Sequence, residues 1–108
     1  MSAAPDLEPH GLYHLATEAE WAAGQASGAL APASLAEEGF VHCSWGSQVP
    51  GTVERHFAGV TDLLALHLDA EALDAPLVVE DSYGSGTAYP HVYGPVPVAA
   101  VTEVVVIA

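Results

Sequence analysis

The fold class of this chain is indicated by the stretch Gly11-Leu12-Tyr13-His14-Leu15-Ala16-Thr17-Glu18-Ala19-Glu20-Trp21. Its first six residues suit a β-strand whose alternate side chains face opposite sides, with Tyr13 on one side and His14 on the other. Thr17 followed three residues later by Glu20 forms a capping box, which predicts a helix that continues to about residue 26. A strand that leads directly into a helix indicates an α+β fold.

The rest of the chain continues this mixture. Ser34 with Glu37 repeats the capping pattern over one short turn that Gly39 ends, and a helix is predicted over 47–57. Further strands are predicted over 40–44, 63–68, 77–80, 91–93 and 102–107, the last a β-branched run typical of a central strand. The pattern predicts one α+β domain over 10–108, with five or six strands and two main helices, preceded by a flexible arm over 1–9.

Composition limits the partners that this chain is expected to have. Apolar residues make up 51% of the chain and charged residues 14%, which excludes a disordered protein. The formal net charge of −13 keeps a small domain soluble, and it repels phosphate backbones and anionic membranes. We therefore expect a small-molecule ligand and neither a nucleic acid nor a membrane as partner. The oligomeric state is not predicted.

The cellular compartment is predicted from three absences in the sequence. Cys43 is the single cysteine, so the chain forms no internal disulfide. The first nine residues are acidic and lack the apolar run of a signal peptide. No stretch reaches the ~20 apolar residues of a membrane-spanning helix. We expect a cytoplasmic protein.

Three short motifs, over 12–16, 39–44 and 89–94, each place one histidine among apolar or aromatic residues in a predicted strand. The three histidines are His14, His42 and His91. A buried imidazole needs hydrogen-bond partners once water is removed, so core strands rarely contain histidine. Three such placements suggest a shared polar cleft.

Alternation along the second predicted strand separates the two most reactive neighbours. His42 shares a face with Phe40 and Ser44, whereas Cys43 points the other way. Cys43 and His42 therefore do not form a nucleophile–base pair, and Cys43 is interpreted as a small buried hydrophobe. His42 and Ser44 project into one region and are candidates to hold a ligand. The alternative is a histidine that a neighbouring backbone carbonyl satisfies.

The third motif sets His91 between Tyr89 and Tyr93 on one face of an extended segment. A Tyr–His–Tyr stripe suits stacking on a flat ring and hydrogen bonding to the polar edge of a ligand. The same stripe also suits an ordinary half-buried sheet face. His14 has the same two interpretations as His42: it holds a ligand, or a neighbouring backbone carbonyl satisfies it.

Two charged residues complete the candidates. Glu80 ends a predicted strand, which suits a catalytic acid, although two solvated carboxylates at 80–81 are the simpler interpretation. Arg55, the single strong anion-binding side chain, lies either at the cleft or, as we prefer, against one of the many acids. No pair of histidines has the local spacing of metal ligands, so no metal site is predicted.

Further motifs accompany the histidines: Gln48-Val49-Pro50, Arg55-His56-Phe57-Ala58-Gly59, Glu80-Asp81 with Tyr83-Gly84, and Pro90-His91-Val92-Tyr93-Gly94-Pro95. Together with 13–16 and 39–44, they run in one register from about residue 11 to 106 and resemble a bacterial family, domain of unknown function number 952. The resemblance implies an ADP-ribosyltransferase-like fold, which is a split β-sandwich that grips nicotinamide adenine dinucleotide (NAD) between two small sheets.

The pattern is most similar to the RNA 2′-phosphotransferase branch of that fold, in which a histidine ends the first strand and a His-x-Ser element lies in the second. The resemblance implies that His14 hydrogen-bonds the nicotinamide ribose side of a ligand, with Ser44 nearby and Glu80 as the late acid. That branch holds phosphates with several arginines, whereas this chain has Arg55 alone. An RNA 2′-phosphate is therefore a poor substrate here.

We therefore expect a small soluble enzyme of ADP-ribosyltransferase-like fold, acting by transferase-like or acid–base chemistry on a small molecule, with NAD or an NAD-derived compound as the candidate cofactor or ligand. The expected catalytic residues are His14, His42 and Glu80. The expected ligand-binding residues are Tyr13, Ser44, Arg55, Tyr83, His91 and Tyr93. The alternatives are a non-catalytic ligand-binding module on the same fold, and a biosynthetic enzyme that has lost the use of NAD.

Overall fold

Antiparallel strands in three sheets organise the chain in the computed structural model, which describes residues 7–81 and 84–108. The strands are β1 (Leu12–Thr17), β2 (Ala29–Leu30), β3 (Val41–His42), β4 (Ser44–Trp45), β5 (Leu63–Leu68), β6 (Leu77–Glu80), β7 (Tyr89–Val92), β8 (Val96–Pro97) and β9 (Val101–Val106). The α-helices are α1 (Glu18–Ser27), α2 (Ala33–Glu38) and α3 (Val49–His56). Single 3₁₀ turns lie at Gly46–Gln48, Ala70–Ala72 and Val98–Ala100.

A four-stranded sheet in the order β4-β1-β5-β9 divides the hydrophobic interior into two cores. Because side chains alternate along a strand, Leu12 and Ala16 enter one core, and Tyr13 and Leu15 enter the other. The first core also takes residues from the three-stranded sheet β3-β7-β6 and the two-stranded sheet β2-β8. The second core packs against α3. The α+β class and the opposite facing of Tyr13 and His14 are confirmed.

The predicted strand over 40–44 is in fact two strands in different sheets. His42 in β3 pairs with His91 in β7, whereas Ser44 in β4 pairs with Tyr13 in β1. Cys43 lies between them, buried, and donates its backbone N–H to a carbonyl oxygen of β7. The expected common face of His42 and Ser44 is therefore wrong, because strand alternation does not carry over from one sheet to the other.

Of the two hydrogen bonds of the capping box expected at α1, only the one to the Thr17 hydroxyl is confirmed. The Thr17 hydroxyl caps the helix by accepting the Glu20 backbone N–H at 3.2 Å, and Gly28 ends the helix with a left-handed φ of 95°. The Glu20 carboxylate does not close the box but bonds His14. In α2 the cap position belongs to Pro32 rather than the expected Ser34.

Strand β9 is an edge strand rather than the expected central strand. It pairs with β5 alone, and Val106 is 66% exposed.

The described residues contain nine strands and three α-helices, against the five or six strands and two helices expected. Four of those strands are only two residues long, which is too short to leave a periodic pattern in the sequence. No helix within the described ranges is long and apolar enough to cross a membrane.

Residues 7–9, the described part of the expected arm, contact the domain. Leu7 packs against the second core, and the Glu8 backbone N–H donates to the Tyr13 hydroxyl at 2.9 Å. A Cβ atom at Gly46 would lie 1.9 Å from the Glu8 carbonyl oxygen, so this approach requires glycine. The arm remains a prediction for residues 1–6, which lie outside the described ranges.

Candidate functional site

Five of the described side chains meet on one face of the three-stranded sheet, and we call them the His91 cluster: Phe40, His42, Glu80, His91 and Tyr93. At its centre, the Oε2 atom of Glu80 accepts hydrogen bonds from Nδ1 of His91, at 2.9 Å, and from the hydroxyl of Tyr93. Four of the five residues were expected from the sequence. The structure therefore brings together the second and third histidine motifs.

The register of the sheet explains how this cluster forms. His42 and His91 lie directly opposite each other across β3 and β7, and Glu80 lies opposite Tyr89 across β6 and β7. Side chains two residues apart share a face, so Tyr89, His91 and Tyr93 form the expected stripe. Glu80 reaches two members of that stripe because it stands at the end of the neighbouring strand.

Phe40 forms the aromatic wall of the cluster. Its ring stacks on His91 with centroids 4.1 Å apart and planes inclined by 14°, and it lies 5.3 Å from the ring of Tyr93 in a tilted arrangement. The His42 ring meets both Phe40 and His91 edge-on, at 4.8 Å and 5.2 Å. Phe40 was not among the expected site residues, although strand alternation places it on the face of His42, and this was the signal that could have identified it.

The hydrogen bonds within the cluster set opposite charge preferences for its carboxylate and its phenol. The pKa of Glu80 is lowered by the hydrogen bond from Tyr93 and next by the one from His91. The pKa of Tyr93 is raised by the same bond to Glu80. At neutral pH the cluster therefore presents an ionised carboxylate beside a protonated phenol. Tyr93 is 40% exposed, whereas His91 behind it is only 2% exposed.

His42 is the accessible imidazole of the cluster. Its Nε2 atom lies 3.1 Å from Oε1 of Glu38, and the two side chains are 38% and 36% exposed. Glu38 is the last residue of α2, and Gly39 turns the chain so that β3 passes beside it. A carboxylate that orients an imidazole is the arrangement of a general base. Sequence reasoning missed Glu38 because the helix ends between the two residues.

His14 lies behind β3, in the interior. Its Nδ1 atom is 2.8 Å from the backbone oxygen of His42, and its Nε2 atom is 2.7 Å from Oε2 of Glu20. A carbonyl oxygen and an ionised carboxylate both accept, so both ring nitrogens donate and His14 is a protonated imidazolium. Burial acts to lower its pKa, but the neighbouring Cys43 and Glu20 side chains outweigh burial and raise it to about 10. At 5% exposure, His14 orients β3 rather than facing solvent.

Ser44 and Tyr13 do not join the His91 cluster. The Ser44 hydroxyl is buried and lies 3.1 Å from the Thr52 hydroxyl of α3. Tyr13 is buried in the second core, on the opposite face of the four-stranded sheet, where it stacks on His67 with centroids 4.5 Å apart. These contacts satisfy both side chains inside the fold.

Arg55 meets a phenol rather than the acid that we preferred as its partner. It donates a hydrogen bond to the Tyr89 hydroxyl, and its guanidinium carbon lies 5.8 Å from the centre of that ring. Arg55 therefore stands at the end of the Tyr89–His91–Tyr93 stripe. Tyr83, the remaining expected ligand-binding residue, lies outside the described ranges.

An open cleft of about 530 Å³ lies beside Tyr93, and we call it the Tyr93 cleft. It is lined by Gly28, Ala29, Asp74, Ala75, Pro76, Tyr93, Gly94, Pro95 and Pro97.

Within 7–81 and 84–108, no group of three or more His, Cys, Asp or Glu residues is arranged to hold a metal ion. The chemistry available at the site is therefore an ionised carboxylate, an oriented imidazole, a phenol and an aromatic wall.

The chain is similar in sequence and structure to protein CC0527 from Caulobacter crescentus. Its crystal structure is 36% identical, with a TM-score of 0.77, over 86% of this chain and 82% of that chain. Its solution NMR structure is 35% identical, with a TM-score of 0.77, over 90% of this chain and 84% of that chain. No curated protein matches the chain. Residues 15–104 match the family described as "Protein of unknown function (DUF952)", and the chain belongs to that family.

Proposed function

We propose that this protein is a small-molecule enzyme whose site is the His91 cluster, and that its substrate is a cationic, NAD-derived nucleoside without phosphates. The reaction class is cleavage of an N-glycosidic bond between a ribose and a positively charged heteroaromatic ring. Water attacks the anomeric carbon, the bond to the ring nitrogen breaks, and the ring leaves as a neutral base.

The observation that carries this proposal is the environment of Glu80. Its carboxylate is held ionised by the hydrogen bonds from Tyr93 and His91, at a position that solvent reaches. A fixed anion stabilises positive charge that develops on a sugar during N-glycosidic cleavage, and it costs no reorganisation during the reaction. Phe40 and Tyr93 supply aromatic faces for the leaving ring.

We assign the proton transfer to His42. Its imidazole is the accessible one of the three motif histidines, and Glu38 orients it at 3.1 Å. His42 accepts the proton of the attacking water as the new C–O bond forms. His14 and His91 are positioning residues in this proposal, because both are buried and each holds a strand or a carboxylate of the site.

The architecture supports an ADP-ribosyltransferase-like classification at the level of analogy. Sheets of four and three antiparallel strands pack around one shared core, as a split β-sandwich requires. Fold alone does not assign an activity, so the proposal depends on the site and not on the analogy.

The residues present do not fit intact NAD. In the fold that the resemblance implies, His14 holds the nicotinamide ribose, yet here both of its ring nitrogens are bonded inside the protein. The pyrophosphate would have Arg55 as its one strong cation, on a chain of net charge −13. A nucleoside avoids both conflicts, and for this reason we propose a substrate without phosphates.

The test is release of nicotinamide from nicotinamide riboside, measured by chromatography with wild-type protein and with Glu80→Gln and His42→Ala. We expect release by the wild type and a loss of at least about 100-fold in each variant, in line with the removal of a charge-stabilising or acid–base group. Glu103→Gln is the matched control, because it removes the same charge from the exposed strand β9 of the other sheet.

Each alternative has its own result. Binding of nicotinamide riboside by calorimetry without release of nicotinamide would overturn the catalytic proposal and favour the non-catalytic module. If the protein neither binds nicotinamide riboside nor releases nicotinamide from it, the proposed substrate class is overturned. Cleavage of NAD at a rate equal to that of the riboside would show that phosphates are accepted and would contradict the reasoning from Arg55.

A further inference from the structure

The Tyr93 cleft is a second candidate binding site, separate from the His91 cluster except for Tyr93. One wall is the two-stranded sheet, represented by Ala29 and Pro97, and the other is the turn over 74–76. Gly94 packs closely against this turn, because a Cβ atom at Gly94 would lie 2.6 Å from the Cβ atom of Ala75. A volume of about 530 Å³ is within the range of small-molecule pockets.

Asp74 is the one charged side chain among the residues that line this cleft. It is exposed, and among the described residues it makes no hydrogen bond or ion pair, in contrast to the carboxylates of Glu20, Glu38 and Glu80. Its charge is therefore available to a ligand.

Three of the backbone carbonyl groups around the cleft are already used by the fold. The carbonyl oxygen of Gly28 accepts from Val98 at 3.0 Å, and that of Pro76 accepts from Tyr93 at 2.9 Å. The Ala29 carbonyl oxygen accepts the Ser27 hydroxyl at 2.9 Å. The Asp74 carboxylate is the charged group that the lining offers to a ligand.

Much of the remaining lining is apolar. Pro76, Pro95 and Pro97 present ring carbons with fixed backbone angles, and Ala75 presents a methyl group. A ligand that fits therefore has an apolar body and a single cationic group. The net charge of −13 attracts such cations and repels anions over the whole surface.

We propose that the Tyr93 cleft binds an organic cation, namely an amine carried on a compact apolar or aromatic body, with the ammonium group at Asp74 and the body against the prolines. This site goes beyond the proposed cleavage reaction and does not depend on it, because none of its contacts uses Glu80 or His42.

The test is an NMR titration of the full chain with benzylamine and, as the matched neutral compound, benzyl alcohol. We expect benzylamine to shift the backbone amide signals of Asp74, Ala75 and Gly94 and to bind more tightly than the alcohol. Asp74→Asn should weaken benzylamine binding by up to about fivefold, which is the upper end for an exposed ion pair. High salt should have the same effect on the wild type.

Glu71→Gln is the matched control, since it removes one negative charge from the exposed 3₁₀ turn just before the cleft. The proposal is overturned if benzyl alcohol binds as tightly as benzylamine, if Asp74→Asn has no effect, or if Glu71→Gln weakens binding equally. Absence of any shift in the cleft overturns it as well. Benzylamine binding without release of nicotinamide, or release of nicotinamide without benzylamine binding, separates failure of the proposed reaction from failure of this site.

Discussion

The buried imidazolium of His14 makes a specific prediction about stability and pH. Burial lowers its pKa, but the neighbouring Cys43 and Glu20 side chains outweigh burial and raise it from 6.5 to about 10. A folded-state pKa above the unfolded value means that the folded protein binds the proton more tightly. This contribution to stability is therefore complete below pH 6.5 and is lost as the pH rises towards 10.

The size of the effect follows from the same two values. The interval from 6.5 to about 10, at about 1.4 kcal/mol for each pH unit, corresponds to a contribution on the order of 5 kcal/mol. Small domains have total unfolding free energies of roughly 5–15 kcal/mol, so a loss of this size brings the chain near unfolding at alkaline pH.

The assay is urea denaturation followed by tryptophan fluorescence at pH 6 and at pH 9.5, on the wild type and on Glu20→Gln. We expect the unfolding free energy of the wild type to fall by several kcal/mol between these pH values, and that of Glu20→Gln to fall less. His56→Gln serves as the control, since it removes an exposed imidazole from the end of α3. The His56→Gln variant should keep the wild-type profile.

A direct measurement distinguishes this mechanism from general alkaline unfolding. At pH 7.5, NMR of the wild type should show protons on both ring nitrogens of His14. A neutral His14 at that pH, or equal pH profiles for the wild type and Glu20→Gln, would refute the reasoning.

Three further predictions concern packing, the His91 cluster and the sheet edge. Gly46→Ala places a Cβ atom 1.9 Å from the Glu8 carbonyl oxygen, so we expect destabilisation of about 1–3 kcal/mol by urea denaturation; an unchanged midpoint would contradict it. Tyr93→Phe removes the leading hydrogen bond to Glu80, so the pKa of Glu80 should rise towards 4.5 in an NMR titration, and a constant value would count against that bond. Val106→Lys at the exposed edge should change stability by less than about 0.5 kcal/mol by the same denaturation assay, and a larger loss would mean that this edge is covered.

Alternation of side chains was the part of the fold that sequence reasoning could predict. It separated Tyr13 from His14 and aligned the Tyr89–His91–Tyr93 stripe, because each of these features lies within a single extended segment. The division at Cys43 could not be predicted in this way. Each half of that segment is two residues long, and its sheet is chosen by partners elsewhere in the chain.

The glutamate partners of His14 and His42 could not be predicted from local sequence patterns, for a related reason. Glu20 matched a capping box, and nothing in the sequence indicated that its carboxylate bonds His14 in the preceding strand. Glu38 lies four residues before His42, but Gly39 ends the helix between them, so helical spacing does not explain their contact. Both pairs are products of tertiary packing.

The change of sheet at Cys43 also has a consequence for how the chain folds. Val41 pairs with Val92 and Tyr13 pairs with Ser44, so the strands on either side of Cys43 pair with residues 51 and 31 positions away along the chain. Pairings of such long sequence separation slow folding relative to local contacts. Because one residue joins the two sheets without a linker, we expect neither sheet to open while the other stays intact. Hydrogen exchange should therefore report one shared opening free energy for the amide of Cys43, which donates to Pro90 of β7, and the amide of Gly46, which donates to Gly11 beside β1.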